Sequence, residues 1–203
     1  FKLKTVELVG FEKISQKNIN KIINDYQFRN SLLVFPHNNF WLFDKSTMKE
    51  KIYEQYYFEE FKIKKKWPNK VIIEVKEKES VINWLSNNLC FHLDQSGLAI
   101  EFCETSNGHL CIKDTANKPL KIGERPIEIN ELSYIIELDE QVKSLLVNKL
   151  NILNIETDIS GLHFFTEEGA VLKFNPKLQV NDQIARLHTL INQPEVHDNL
   201  GNL

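Results

Sequence analysis

The sequence predicts an α+β protein built from two modules, and three observations carry that prediction. The first 77 residues read as strand, helix, helix, strand, strand. From residue 81 the pattern changes to short strands in series, joined by two helical stretches, the plan of an antiparallel sheet with helices. Charge divides at about the same place: residues 1–77 carry 15 Lys and Arg against 10 Asp and Glu, whereas residues 78–203 carry 10 against 18. A basic first part and an acidic second part fit two units with different neighbours; two solvated surfaces of opposite bias are the plainer account. The expected modules are residues 1–78 and 79–203.

Residues 3–9 alternate as a first strand that Gly10 ends. Ser15 stands where a helix N-cap belongs, and Ile19, Ile22, Ile23 and Tyr26 then follow at helical spacing. Residues 27–43 are irregular. Thr47 and Glu50 make a capping-box pattern for a second helix, with Met48, Ile52 and Tyr56 on one face. Phe61 and Ile63 alternate with Lys62, Lys64 and Lys66 as a half-buried strand. Trp67-Pro68-Asn69-Lys70 supplies a turn, and Val71, Ile73 and Val75 mark the return strand.

In the second module, strands are expected at residues 81–85, 89–94, 98–103 and 109–113, in a simple meander. The turn at Asp94 to Gly97 reads as plain turn chemistry rather than an acid site. A loop with Pro119, Gly123 and Pro126 leads into a helix over about 130–150. Two strands, 162–166 and 170–174, flank Glu167-Glu168-Gly169, and a last helix covers about 179–191. Trp67 and Trp84 are expected in cores rather than as surface anchors.

The composition, 42% hydrophobic and 26% charged, excludes a disordered chain. No apolar run approaches the ~18–20 residues that span a bilayer. Three cysteines, Cys90, Cys103 and Cys111, cannot all pair within one chain and define no framework. Cys90 and His92, with His109 and Cys111, are the ligand types of a zinc site. The meander would hold those pairs on the order of 10 Å apart, too far to converge on one metal. No nucleophile elbow or phosphate loop is present. One lysine run at pI ≈ 6.1 is no nucleic-acid stripe.

Several motifs together resemble the FtsQ/DivIB cell-division family. Val6-Glu7-Leu8-Val9-Gly10, with Ile14-Ser15, is similar to the start of its POTRA domain. The run Lys66-Trp67-Pro68-Asn69-Lys70-Val71-Ile72-Ile73-Glu74-Val75-Lys76-Glu77-Lys78 resembles its tryptophan-proline-asparagine hairpin. Residues 81–84 are similar to the strand that opens its β-domain, and Asp94 and Gly97 to the turn after it. Lys78 stands where the family favours Arg, and Ser80 where it favours Pro. The family's final strand, expected after the last helix, is missing from the sequence through Leu203.

The resemblance implies a non-enzymatic scaffold with no cofactor and no small-molecule substrate. It implies a membrane helix upstream of residue 1 and an extracytoplasmic location at the septum. The implied partners are FtsB/DivIC-like and FtsL-like proteins, bound at sheet edges, where unpaired main-chain groups accept an added strand. The expected contact residues are Leu162, Phe164, Val171, Lys173, Leu200 and Leu203. Lys62, Lys64 and Lys66, at period two on one face, are read either as facing anionic lipid or as solvated edge lysines. The alternative function is a POTRA-bearing chaperone of protein export or outer-membrane assembly.

Overall fold

A computed structural model describes residues 3–29, 39–41, 43–103, 109–146, 152–158 and 161–193. The chain forms two compact units. One holds Phe1–Glu79 with Ala99–Phe102 and Lys121–Gly123; the other holds Ser80–Leu98, Cys103–Leu120 and Glu124–Leu203.

The first unit runs β1 (Thr5–Val9), α1 (Gln16–Arg29), α2 (Lys45–Tyr53), β2 (Phe58–Lys66) and β3 (Lys70–Glu77). Its sheet has the order β1-β3-β2, with β1 parallel and β2 antiparallel to β3. Ile19, Ile22 and Ile23 from α1 join Met48 and Ile52 from α2 and Val71 and Ile73 from β3 in one buried cluster. This is the helical and strand periodicity of the sequence made into a core. Gly10 is required where β1 ends: its φ is +82°, and a Cβ there would meet the Val75 carbonyl oxygen at 2.0 Å.

The loop between β1 and α1 is held by an acid from the far end of the unit. The Glu77 carboxylate accepts hydrogen bonds from the backbone N–H groups of Glu12 (3.1 Å), Lys13 (2.8 Å) and Ile14 (3.0 Å). Helix α2 starts earlier than the Thr47–Glu50 pattern predicts. Its cap is Asp44, whose side chain accepts from Ser46 N and from Thr47 Oγ1, so Thr47 supports the cap instead of being it. Tyr56 lies beyond the helix, whose C-cap is Glu54.

Trp67 corrects the core expectation. It sits in the β2–β3 turn, before a cis Pro68, and is 69% exposed. It belongs to the turn between β2 and β3 and has no place in the buried cluster of the first unit. Trp84, by contrast, is 3% exposed.

The remaining elements are β4 (Ser80–Ser86), β5 (Leu89–Asp94), β6 (Ala99–Phe102), β7 (Leu110–Asp114), α3 (Ile129–Leu146), β8 (Ile152–Asp158), β9 (Gly161–Thr166), β10 (Val171–Phe174) and α4 (Val180–Ile191). The larger sheet has the order β10-β9-β8-β7-β4-β5-β6. The α+β class holds, but the simple meander does not. Strand β7 pairs β4 in parallel, and β8 pairs β7 in parallel, so β4 lies inside the sheet with neighbours on both sides. Strand β8 had no counterpart among the expected elements. The expected helix over 130–150 is α3, with residues 147–150 outside the described residues.

Helix α3 buries Leu132, Ile135, Leu138, Val142 and Leu146, one stripe at helical spacing. The Asp94–Gly97 turn is turn chemistry as expected: Asp94 Oδ1 accepts from Ser96 N, Ser96 Oγ and Leu98 N, and Gly97 has φ +76°.

Candidate functional site

Cys90 and Cys103 form a disulfide that pairing rules alone could not select, and Cys111 is the free, exposed thiol. The bonded Cys90 offers no thiolate, so the Cys90/His92/His109/Cys111 quartet is not a set of zinc ligands in this structure. Strand β4 also lies between β5 and β7, although the His92 and His109 rings come closer than the spacing of two strands. His92 instead accepts its place in a buried polar pair, with Nδ1 2.7 Å from Asn83 Oδ1. Burial first, and His109 beside it second, hold the His92 imidazole below its usual pKa. The His109 ring lies edge-on at 6.1 Å, its Nε2 3.1 Å from Ser80 Oγ.

The expected contact residues separate into three groups. Leu162 and Phe164 are corrected: both are fully buried, and β9 is paired on both sides, to β8 and β10. It has no open edge. Leu200 and Leu203 lie outside the described residues. Val171 and Lys173 are exposed on β10, which is the last strand of the larger sheet among the described residues.

Register shows which main-chain groups β10 leaves available. Thr166 N donates to Ala170 O at 3.0 Å, which makes that opposed pair a hydrogen-bonded one. Because such pairs alternate along an antiparallel ladder, Leu172 and Phe174 are bonded to Phe164 and Leu162 of β9. The N–H and C=O of Val171 and Lys173 then point away from the sheet, the arrangement that accepts another strand.

An adjoining groove of about 390 Å³ is lined by Val171, Lys173, Leu178, Arg186, Leu187 and Leu190. Val171 and Leu190 are 43% and 51% exposed. The groove is fixed in place by Gln183 of α4. Its Oε1 accepts from Asn175 N (2.8 Å), and its Nε2 donates to Tyr134 Oη (2.9 Å) and to Asn175 O (3.1 Å). Leu178, Arg186 and Leu190 were not foreseen as contact residues. The available signal was the breadth of the α4 apolar stripe, since Leu187 and Ile191 are buried while Leu190 is not.

Lys62, Lys64 and Lys66 share the exposed side of β2. Lys62 is paired with Glu60 and Lys64 with Glu74, both at 2.6 Å, so these two lysines present ion pairs rather than a bare cationic stripe.

A β-α-α-β-β unit with a parallel β1–β3 pair, joined in sequence to a unit with a mixed sheet, defines a POTRA-bearing protein. Residues 1–78 match the POTRA domain, FtsQ-type. The chain is also similar to the cell division protein DivIB of Clostridium acetobutylicum, at 31% identity over 144 residues. That match covers 70% of this chain and 57% of the relative, so the chain spans little more than half the relative's length. The chain belongs to the FtsQ/DivIB family of cell-division proteins.

Proposed function

We propose that this protein is a non-enzymatic adaptor of the division machinery and binds partner proteins by strand addition at β10. The single observation that carries this reading is the outward main chain of Val171 and Lys173 beside an apolar groove. A partner segment would gain main-chain hydrogen bonds from the edge and specificity from alternate side chains in the groove. Lys173 and Arg186 favour acidic side chains on that segment, and Val171, Leu178 and Leu190 favour apolar ones.

Family membership points to FtsB/DivIC-like and FtsL-like proteins as the partners and to septal peptidoglycan synthesis as the process they organise. The same reading includes a single membrane helix upstream of residue 1 and an extracytoplasmic location, with residues 1–78 and 79–203 as separate domains. The Cys90–Cys103 bond supports that location, because disulfides persist in oxidising compartments. Among the described residues no helix is long and apolar enough to cross a membrane. The FtsQ-type character of the first unit favours division over the chaperone alternative.

Titration calorimetry with soluble FtsB/DivIC-like and FtsL-like regions tests the proposal. Val171→Pro removes one outward N–H and leaves the bonds to β9 intact, a substitution that edge strands tolerate. Binding should fall at least about tenfold, the equivalent of one good hydrogen bond and its packing. Lys173→Glu with Arg186→Glu provides an arm that leaves the backbone unaltered. Unchanged affinity in both folded variants would reject β10 as the contact.

A further inference from the structure

We infer that the hairpin end of the first unit is a docking surface for an anionic lipid bilayer, formed by Trp41, Trp67 and the lysines around them. The inference stands on the first unit alone and is independent of the β10 edge.

Trp41 and Trp67 are the two most exposed large apolar side chains among the described residues, at 62% and 69%. They lie at the same end. The Trp41 carbonyl accepts from Lys65 Nζ at 3.3 Å, two residues before Trp67 in β2 and its turn. The turn is in contact with the start of β1, since Asn69 O accepts from Lys4 N at 3.0 Å. Indole is the side chain that favours a membrane–water boundary, with an apolar body and one N–H to keep wet. Two indoles exposed at one end therefore need an account that a solvated surface does not give.

Charge around them is of one sign in excess. Lys65, Lys66 and Lys70 flank Trp67 in β2, its turn and β3, Lys4 meets that turn through its backbone, and Lys45 lies near Lys65, against Asp44 and Glu7 among the described residues. Lys66 and Lys70 face each other directly across β2 and β3, a like-charge pairing that costs stability in an isolated sheet. Glu7 pairs with Lys70 and offsets part of it. Lys65 is held below its usual pKa by burial and then by Lys45, with Asp44 opposing. Its ammonium lies over the Phe40 and Phe43 rings, at 5.7 and 5.8 Å. Proteins break such local rules at functional surfaces. A sheet of anionic headgroups complements both features at once: it neutralises the lysines and takes up the indoles.

The lipid face is thus the hairpin tip rather than the side of β2. Lys62 and Lys64 are already matched by Glu60 and Glu74, whereas the tip keeps its cationic excess.

Co-sedimentation of the full chain with phosphatidylcholine vesicles, with and without about one-third phosphatidylglycerol, tests the surface. Each lysine near such a membrane contributes roughly fivefold in affinity. Lys4→Gln with Lys66→Gln should therefore weaken binding to the anionic vesicles by about 25-fold, and raised salt should weaken it too. Trp41→Ser with Trp67→Ser should weaken it at least tenfold. Lys62→Gln with Lys64→Gln should leave it within about twofold. Brominated anionic lipid added to the unmodified protein covers the case of a misfolded variant: it should quench the exposed indoles and leave the buried Trp84 emission. No affinity for anionic vesicles, affinity equal on neutral ones, or binding indifferent to the tip substitutions would each overturn the inference.

Discussion

Glu77 shows how one side chain can explain a motif. In sequence it reads as a polar residue after an alternating strand. In the structure its carboxylate gathers three consecutive backbone N–H groups, of Glu12, Lys13 and Ile14, and ties the end of β3 to the approach to α1. Hydrogen bonds to a charged acceptor are the stronger kind, though this site is partly solvated and water replaces some of what is lost. Glu77→Ala should cost about 1–2 kcal/mol, read as a lower urea midpoint with an unchanged slope. Glu77→Gln, which keeps one acceptor oxygen, should recover part of it. His92 gives a pH signature at the same scale. Its neutral ring is favoured by burial and by the neighbouring His109, so the unfolded chain binds the extra proton first. The stabilising contribution is complete above the unfolded value of about 6.5 and is lost as pH falls toward the lower folded value. Urea midpoints at pH 7.5 and 5.5 should differ for the native protein and differ less for His92→Gln.

At the scale of elements, the disulfide is the most testable feature. Cys90 and Cys103 are 13 residues apart in sequence and close a loop across the Asp94 turn. A loop of this length is worth about 3 kcal/mol through the entropy of the unfolded chain. Cys90→Ser with Cys103→Ser should lower stability by that order, and reductant should reproduce the loss in the native protein and not in the variant. The first unit was almost wholly legible because its signals are local: strand alternation, helical stripes and a Pro turn each name their own element. The second unit was not. The sequence has no Gly or Pro between α3 and β8, so no turn signal marks where the helix gives way to a strand, and β8 goes unread. The parallel pairing of β4 with β7 and of β7 with β8 joins residues far apart in sequence, and no turn residue records it. Val171 and Lys173 alternate as edge residues would, but the sequence offers both strands of their hairpin equally. Leu162 and Phe164 have the same alternation but sit one strand inward, a distinction only the strand order makes. The disulfide left a trace: two cysteines straddling one turn at similar distances, which hairpin register turns into a pair.

At the scale of the whole molecule, the two units differ in what holds them. The buried cluster of the first unit, from Leu3 to Ile73 among the described residues, comes from one continuous stretch. The short segments Ala99–Phe102 and Lys121–Gly123, grouped with that unit, supply none of that cluster. A chain of residues 1–79 therefore carries that whole cluster, in a size range where single domains are marginal but do fold alone. It should unfold cooperatively in urea and give a dispersed amide spectrum; a spectrum collapsed to random-coil values would show that the two short segments are indispensable. The same division predicts how the full chain responds to reductant. Both cysteines lie in the second unit, and of the loop they close only Ala99–Phe102 is grouped with the first, so breaking the bond raises the unfolded-state entropy mainly of the second unit. Thermal unfolding followed separately by the near-ultraviolet signal of buried Trp84 and by amide resonances of α1 should show the first shifting down with reductant and the second staying in place. A common shift of both probes would mean the units unfold as one cooperative body, and the strand-rich second unit would then be setting the stability of the whole chain.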